Sequence, residues 1–242
     1  MRLAGEGKAK PGQFVNIMLG GLFLRRPISV CDAAEGEFTI IYKVVGRGTE
    51  LLATYPTGKV LDVLTGLGNG YDINLDIMRP LLVGGGVGSP PLYLLAKRLF
   101  ELGKTPRVVL GFNTASEIIL ENEFRDLGLE VNITTIDGSR GTRGFVTDAI
   151  GCLSGVEGAK EGFAGAVEGA EGTGDFDYVF ACGPEAMLRA VYDATQVDGQ
   201  FSFEERMGCG FGACMGCSCK TRYGYKRICT EGPVLKRGEI IW

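Results

Sequence analysis

Cysteines close to the C-terminal end are the residues of this chain best suited to chemistry. Four of the eight lie in GCGFGACMGCSCK, residues 208–220, and Cys229 follows them. The first three have the spacing C-x4-C-x2-C, which with a more distant fourth cysteine is the plant-type pattern for a [2Fe-2S] cluster. This spacing predicts that Cys209, Cys214 and Cys217 ligate an electron-carrying iron–sulfur cluster.

The fourth ligand of such a cluster has to be Cys219 or Cys229. Cys219 lies only two residues beyond Cys217 on the same predicted strand, where it would point poorly toward a shared cluster, so Cys229 is preferred. Zinc is the alternative metal, although zinc sites usually pair two C-x2-4-C knuckles and one such knuckle is convincing here. We interpret Cys31 and Cys152 as buried apolar thiols.

The composition excludes several classes of function. Histidine is absent from the 242 residues, which rules out a histidine general base, a Rieske centre and any Cys/His zinc finger. The net charge is −4 and no Lys/Arg block stands out, so nucleic-acid binding is not expected. The longest uncharged run, 81–96, is too short to span a membrane. Without an apolar signal segment at the N-terminus, we expect a cytoplasmic location, where thiols stay reduced unless they hold metal.

A glycine-rich turn after residue 81 is the first candidate nucleotide site. In LLVGGGVGSPP, residues 81–91, a buried-strand pattern runs into glycines and then into a helix that starts with proline. Glycines allow the close approach of a pyrophosphate, and a helix N-terminus offers N–H groups. Because GGGVGS is not a clean G-x-G-x-x-G, a tight turn without a ligand is the alternative. The candidate residues are Gly84, Gly85, Gly86 and Gly88.

A second strand end, FACGPEAML at residues 180–188, shows the same strand, turn and helix pattern. Pro184 suits the first turn of a helix. Open α/β sheets bind ligands at the carboxyl ends of their strands, so we expect the Cys182 thiol at that edge. The alternative is a buried small residue that meets no ligand.

Two stretches nearer the N-terminus indicate a further anion site. IIYKVVGRGTELL, residues 40–52, runs from a strand into a Gly-x-Gly-Thr turn and a short helix. In RRPIS, residues 25–29, Arg26 can add a fork of donors to a phosphate. Taken alone, Arg25 and Arg26 are better explained as a solvated charge pair.

The predicted elements divide the chain into three units. Short strands rich in β-branched and aromatic residues suggest a small antiparallel barrel over residues 1–77. From 78 to 198, strands alternate with helices, which is typical of a parallel α/β sheet, and 199–242 form a small Cys- and Gly-rich module. The Gly/Ala/Glu-rich segment 155–175 is interpreted as a surface linker. The expected strands are 13–19, 28–32, 37–45, 59–64, 81–88, 107–112, 129–138 and 176–183, and the expected helices are 90–103, 116–128 and 184–194.

Taken in order, these motifs resemble the ferredoxin-reductase superfamily and, within it, the family of electron-transfer subunits of dihydroorotate dehydrogenase B. The resemblance covers nearly the whole chain except 155–175, and the cysteine loop is its most specific part. It implies a multi-domain α/β and β fold with an FAD-binding antiparallel β-barrel, an NAD-binding α/β domain and a [2Fe-2S] module. The segments that carry it are PGQF (11–14), RRPIS (25–29), YKVVGRGTELL (42–52), GLGNG (66–70), GGGVGSPPL (84–92), GFNT (111–114), CGPEAML (182–188) and the cysteine loop with CTEGPV (205–234).

The resemblance also implies which residues hold the cofactors, and it implies no catalytic acid or base in this chain. GGGVG and CGPEAM would border the nicotinamide nucleotide, which adds Gly183, Pro184 and Met187 to the candidates. The cluster would be ligated by Cys209, Cys214, Cys217 and Cys229. The residues implied for FAD are Arg26, Pro27, Ile28, Ser29, Ile41, Tyr42, Lys43, Gly48 and Thr49.

The function implied is electron transfer in pyrimidine biosynthesis. In this family an FMN-containing partner subunit oxidises dihydroorotate, and the electrons reach NAD⁺ through the cluster and FAD. Two copies of each subunit form a heterotetramer. The alternatives are a flavin/[2Fe-2S] reductase component that serves another redox partner and, from a different class, a binding module stabilised by zinc.

The choice between NAD and NADP depends on the segment ASEIILENE, residues 115–123. It is acidic, whereas a 2′-phosphate needs a cation, so NAD is favoured. Arg140 and Arg143 keep NADP open as the alternative.

Overall fold

The strands of the protein form two sheets and a separate hairpin. A computed structural model describes residues 1–5, 9–153 and 176–242, so the linker expected at 155–175 lies outside the described residues. No helix in this described part is long and apolar enough to cross a membrane.

The first sheet is antiparallel and has the order β1-β4-β3-β2-β5. The four strands predicted in this region are confirmed, although the strand expected over 37–45 ends at Ile40 and the one expected over 59–64 lies at 63–67. Among the described residues β1 and β5 are the two edges, so the predicted barrel is open between them. The elements are β1 (Arg2–Ala4), β2 (Phe14–Ile17), β3 (Arg26–Ala34), β4 (Glu37–Ile40), the helix α1 (Arg47–Ala53) and β5 (Val63–Leu67).

Strand β2 separates two cores, because side chains alternate across a strand. Val15 and Ile17 pack inside the antiparallel sheet with Ile40. Phe14 packs on the opposite face, in the core that contains Cys217 and the C-terminal strands. The face of β2 that carries Phe14 and Asn16 is therefore turned toward the cysteine-rich region.

The second sheet has seven strands in the order β14-β11-β10-β6-β7-β8-β9, parallel except for β14. The alternating strands and helices predicted from the sequence are confirmed. The elements are β6 (Pro80–Gly85), α2 (Pro90–Glu101), β7 (Arg107–Phe112), α3 (Glu121–Asp126), β8 (Glu130–Thr135), β9 (Thr142–Arg143), α4 (Val146–Leu153), β10 (Tyr178–Cys182), α5 (Glu185–Ala194) and β11 (Gly199–Ser202).

Two of these elements are shorter than predicted, each because the backbone turns left-handed. The strand expected over 81–88 ends at Gly85, since Gly86 has φ 52°. The helix expected over 116–128 is broken at Leu120, with φ 64°, into a 3₁₀ turn at Ala115–Glu117 and the short α3. Leucine rarely adopts this conformation, which is why the apolar period of the segment gave no sign of the break.

Part of the C-terminal segment belongs to the second sheet. The hairpin β12 (Ser218–Thr221) and β13 (Gly224–Arg227) stands apart, but β14 (Val234–Lys236) pairs with β11, which pairs with β10. The proposed boundary at 198/199 therefore runs through a continuous sheet. The cysteine loop leaves this sheet after β11 and returns to it at β14.

Helix α2 joins the two sheets. Leu92 and Leu95 pack in the core of the parallel sheet, whereas Leu94 packs in the core of the antiparallel sheet. Lys97 adds an ion pair to Asp32 on β3, with an Nζ–Oδ1 distance of 2.7 Å. This packing holds the two sheets in a defined relation.

The packing of α2 can be tested by truncating Leu95, which is fully buried. We expect Leu95→Ala to lower the free energy of unfolding by about 2–5 kcal/mol, because it removes buried methyl groups and leaves a cavity. Urea denaturation followed by circular dichroism measures the change. Phe100→Ala on the exposed side of the same helix is the control, with an expected change within about 0.5 kcal/mol. Equal losses in both variants would contradict this account of the core.

Candidate functional site

The cysteine loop brings its thiols together in two pairs. All eight cysteines are free thiols. The backbone N–H of Cys214 donates to Sγ of Cys209 over 3.4 Å, and the N–H of Cys229 donates to Sγ of Cys217 over 3.4 Å. Cys217 and Cys229 are buried, whereas Cys214 is exposed. The two pairs thus extend from the core to the surface of the loop.

The thiols influence one another's ionisation. Burial raises the pKa of Cys229 to about 11, helped by its hydrogen bond to Cys217 and by the charges of Cys217 and Cys209. Burial acts in the same direction on Cys209, but hydrogen bonds from loop N–H groups, that of Cys214 first, bring its pKa down to about 6. The loop is therefore arranged to stabilise at least one thiolate.

This donor set fits a two-iron cluster. In a [2Fe-2S] centre with four cysteines, each iron takes two thiolates, so two neighbouring pairs are the arrangement required. Among the described residues, no three Cys, Asp or Glu side chains converge as the ligands of one ion.

Cys219, the other candidate for the fourth position, lies on β12 opposite Lys226. It packs at the edge of the core beside the C-terminal strands, and burial raises its pKa. Cys229 rather than Cys219 places a backbone donor on the sulfur of Cys217.

Two side chains that sequence reasoning missed hold the backbone of the cysteine loop. Asn16 on β2 donates from Nδ2 to the carbonyl of Cys209 over 3.1 Å. Arg227 on β13 donates from Nη1 to the carbonyl of Gly212 over 3.0 Å, while its Nε binds Glu231. Asn16 lies almost two hundred positions before the loop, so no local pattern could have signalled this contact.

The residues expected to line FAD lie on β3, just after β4 and in α1. Arg26 crosses over Gly48, and a Cβ at this position would overlap the guanidinium where it now lies. The hydroxyl of Thr49 accepts hydrogen bonds from the N–H groups of Val45 and Gly46 and closes the turn. Pro27, Ile28 and Ser29 follow Arg26 on β3, and Ile41, Tyr42 and Lys43 follow β4.

Arg25 has a different role from Arg26, so the interpretation of the two as a solvated pair is wrong. Arg25 makes a two-pronged ion pair with Asp62, with distances of 3.0 and 2.9 Å. It also donates to the backbone carbonyl of Asn16. Arg25 therefore anchors the sheet, and Arg26 is the one that lies beside α1.

The two glycine-rich strand ends meet at one edge of the parallel sheet, as predicted. Cys182 on β10 is directly opposite Gly84 on β6. A Cβ on Gly85 would lie 2.5 Å from Sδ of Met187, and one on Gly88 would overlap the carbonyl of Cys182. Gly183 is equally crowded by Met187, and Pro184 follows at the start of α5. At Gly86, by contrast, a Cβ would meet nothing within 4 Å.

The start of α2 is a poorer anion site than the sequence suggested. Its first two residues, Pro90 and Pro91, have no N–H groups to offer. Ser89 precedes them with a buried hydroxyl that has no hydrogen-bond partner among the described residues. These two positions therefore offer no N–H groups to a pyrophosphate, and the expectation of a nucleotide at this turn stays a prediction.

Cys182 sits in a small polar cluster at the same edge. It is buried and adjoins Tyr71 and Ser202, and burial raises the pKa of its thiol to about 12. The hydroxyl of Tyr71 donates to the carbonyl of Ala181 over 3.1 Å. Cys31 is buried as expected, but Cys152 on α4 is only half-buried, so that part of the prediction was wrong.

Glutamates in the acidic segment after β7 form ion pairs with the nearby Arg and Lys side chains. Glu121 is 8% exposed and binds Arg140 through Nε and Nη2, at 3.0 and 2.9 Å. Arg125 donates to the same carboxylate. Glu117 pairs with Lys43 of the FAD candidates over 3.2 Å. Arg143 is exposed.

Comparisons with known proteins agree with this geometry. The family model "Iron-sulfur cluster binding domain of dihydroorotate dehydrogenase B" matches residues 204–241. The "Dihydroorotate dehydrogenase B (NAD(+)), electron transfer subunit" of Fusobacterium nucleatum is 43% identical over 240 residues, 95% of this chain and 86% of that protein. The protein of the same name from Bacillus cereus strain G9842 is 40% identical over 245 residues, 96% of this chain and 87% of its own length.

Solved structures show the same fold. A chain from the structure of an NADH-dependent reduced ferredoxin-NADP oxidoreductase superposes with a TM-score of 0.85 and 32% identity, over 100% of this chain and 84% of that chain. The cytochrome b5 reductase domain of Ulva prolifera nitrate reductase superposes with a TM-score of 0.59 and 16% identity, over 78% of this chain and 82% of that chain. At 16% identity, the second likeness concerns the fold alone.

The ion pair of Glu121 gives a testable dependence on pH. The hydrogen bonds from Arg140, against some burial, hold the pKa of this carboxyl below its usual value. Its contribution to stability is therefore present at neutral pH and is lost as the pH falls through the lowered pKa. We expect Glu121→Gln to lower the free energy of unfolding by about 1.5–3 kcal/mol at pH 7, and the difference from wild type to vanish in acid.

Urea denaturation at neutral and at acid pH, followed by tryptophan fluorescence, measures this difference. The exposed neighbour Glu123 supplies the control Glu123→Gln, which should change stability by less than about 0.5 kcal/mol at either pH. A Glu121→Gln deficit that is the same at both pH values would contradict the assignment.

Proposed function

The chain belongs to the family of electron-transfer subunits of NAD-dependent dihydroorotate dehydrogenase B, and on that premise we propose how its residues perform this task. Electrons that the partner subunit takes from dihydroorotate pass through a [2Fe-2S] cluster and FAD to NAD⁺. The chain is thus an oxidoreductase subunit that holds redox cofactors and needs no acid–base residue of its own.

The observation that carries this proposal is the pairing of four thiols in a loop of glycines. The proposed cluster ligands are Cys209, Cys214, Cys217 and Cys229. Gly210 and Gly212 have φ of 79° and 91°, a conformation that glycine adopts without strain and that lets the loop fold around a compact group. Its N–H groups already point at sulfur, as ligation of a negatively charged cluster requires.

The proposed FAD site is the face of the antiparallel sheet beside α1. The Arg26 guanidinium, fitted over Gly48, offers donors to a phosphate, and Thr49 fixes the adjoining turn. Bound there, FAD supplies the change from one-electron to two-electron chemistry. The other residues proposed to line it are Pro27, Ile28, Ser29, Ile41, Tyr42 and Lys43.

The proposed nicotinamide site is the edge formed by β6 and β10. Open α/β sheets bind ligands at the carboxyl ends of their strands, and Gly86 leaves free space there. NAD rather than NADP is supported by Glu121, which occupies Arg140, one of the two cations that kept NADP open, and Arg125 beside it. Arg143, the other of the two, is exposed. The proposed residues are Gly84, Gly85, Gly86, Gly88, Cys182, Gly183, Pro184 and Met187.

The catalytic subunit of dihydroorotate dehydrogenase is the partner, and we propose a heterotetramer of two subunits of each kind, with FMN in the partner. The division into 1–77, 78–198 and 199–242 is likewise a proposal. A cytoplasmic location is proposed because cluster ligands must stay reduced.

A second candidate is a reductase component that serves a different redox partner. The 32% identity to a chain of an NADH-dependent reduced ferredoxin-NADP oxidoreductase favours it, because the same cofactor framework occurs there. The two candidates differ in the protein that co-purifies with the chain.

A visible absorption spectrum of the anaerobically purified chain tests the proposal. We expect flavin bands and a reddish cluster shoulder, both bleached by NADH, and no oxidation of dihydroorotate until the FMN subunit is added. A colourless protein containing one zinc would contradict the proposed electron-transfer function. Electron transfer with a different redox protein, and none with the FMN subunit, would favour the second candidate.

The fourth ligand is tested by a matched pair of variants. We expect Cys229→Ser to lose most of the cluster absorbance while it retains FAD, because one thiolate is missing. Cys219→Ser should keep both cofactors at wild-type levels. Iron and acid-labile sulfide per chain provide the measurement, and the reverse pattern would assign the fourth position to Cys219.

A further inference from the structure

The side chain of Asn16 reaches from the antiparallel sheet into the cysteine loop. Asn16 is 1% exposed, and it points from β2 toward the loop while Val15 and Ile17 point into the opposite core. Its Nδ2 donates to the carbonyl of Cys209, a proposed cluster ligand. Across the sheet it pairs with Pro27, on the strand proposed to line FAD. Asn16 therefore lies between the residues proposed for the two cofactors.

The loop is shaped to receive this side chain. Gly210 is buried with φ 79°, and a Cβ at this position would overlap Nδ2 of Asn16. The backbone of Asn16 is held in turn, because Arg25 donates to its carbonyl and is itself anchored by Asp62. The contact with Cys209 thus depends on a fixed donor and a glycine that makes room for it.

Burial of the Asn16 side chain also costs folding free energy. Its Oδ1 is buried and has no hydrogen-bond partner among the described residues. An apolar side chain of similar shape would avoid burying this unpaired acceptor, so stability alone does not account for asparagine at this position.

The contact between Asn16 and Cys209 affects the hydrogen bonds that the sulfur of Cys209 accepts. The carbonyl of Cys209 and the N–H of Gly210 belong to one planar trans peptide and point in opposite directions, so holding this carbonyl fixes the orientation of the peptide at which the loop leaves Cys209. The N–H of Cys214 donates to Sγ of Cys209 over 3.4 Å. Hydrogen bonds to cluster sulfurs stabilise the more negative, reduced state and so raise the reduction potential.

We propose that Asn16 is a positioning residue that raises the reduction potential of the [2Fe-2S] cluster by holding the carbonyl of Cys209. The proposal rests on the proposed function, since it presupposes the cluster. It adds to that function a residue outside the cysteine loop that tunes the transfer between cluster and flavin.

The test compares Asn16→Leu with Asn69→Leu, both in the anaerobically purified full chain. Leucine is close to asparagine in size but has no donor. Asn69 also ties the first sheet to the C-terminal segment, through the carbonyl of Glu231 and through both the carbonyl and the N–H of Val234, but it makes no hydrogen bond to residues 208–220 around Cys209. Redox titration followed by electron paramagnetic resonance gives the potential and the g values of the reduced cluster.

We expect Asn16→Leu to retain FAD and iron but to lower the ratio of reduced to oxidised cluster at a fixed potential about tenfold. That corresponds to a potential about 59 mV lower for a one-electron couple. The g values should shift as well, because the hydrogen bonds at sulfur change. Asn69→Leu should match wild type in both measurements, as a merely structural tie would.

Gly210→Ala approaches the same contact from the loop, because its Cβ would overlap the Asn16 amide. Alanine at φ 79° also strains the loop backbone, so this variant counts only when it keeps iron and sulfide at wild-type levels. It should lower the potential too, and the double variant should shift no further than the larger single shift. If Asn16→Leu fails to bind FAD, Gly210→Ala decides the question. Wild-type potential and g values in a fully loaded Asn16→Leu or, in that case, Gly210→Ala protein would overturn the inference. Absence of flavin and cluster from the wild-type chain would instead overturn the proposed function.

Discussion

Repulsion between thiolates is the constraint on which the rest of this structure depends. Cluster ligands have to be deprotonated, and four negative sulfurs in one loop oppose one another. Burial raises the pKa of Cys229, and the charges of Cys217 and Cys209 add to this shift. N–H groups of the loop donate to the sulfur of Cys209 and stabilise its thiolate, which lowers the pKa of Cys209. Such an arrangement is stable only if the loop backbone is held from outside.

That support comes from Asn16 on β2, outside the loop, and from Arg227 on the hairpin within it. Asn16 and Arg227 bind two of its carbonyls, so that the intervening peptides cannot turn freely. Strands β11 and β14, at its two ends, are neighbours in the large sheet. The cysteine loop is therefore an excursion from the sheet that also forms the proposed nicotinamide edge. A position fixed in this way suits electron transfer, in which the protein contributes geometry and redox tuning.

The nucleotide edge shows a second use of glycine. Gly85 at the end of β6 and Gly88 in the turn after it allow a close approach to Met187 and to the backbone of Cys182, whereas Gly86 leaves open space. Two of these glycines thus serve packing between protein segments, and the third leaves room for a ligand. Pro90 and Pro91 remove the first N–H groups of α2, so the nucleotide binding proposed at this edge would use shape and backbone approach rather than the helix end.

Local patterns were enough to predict the kind and order of most elements. The alternation of strands and helices after residue 80, the antiparallel strands before it and the C-x4-C-x2-C loop all depend on neighbours in sequence, so one sequence determines them. The break at Leu120 was missed because the spacing of apolar residues over 116–128 is typical of one continuous helix. The left-handed conformation of Leu120 is imposed by tertiary packing, which local spacing does not encode. The sequence already favoured Cys229 over Cys219, and the tertiary structure brings Cys229 to Cys217. Only the tertiary structure decided that Arg25 and Arg26 separate and that Asn16 reaches Cys209. These are contacts between distant positions, and burial, register and strand direction determine them, none of which a local pattern encodes.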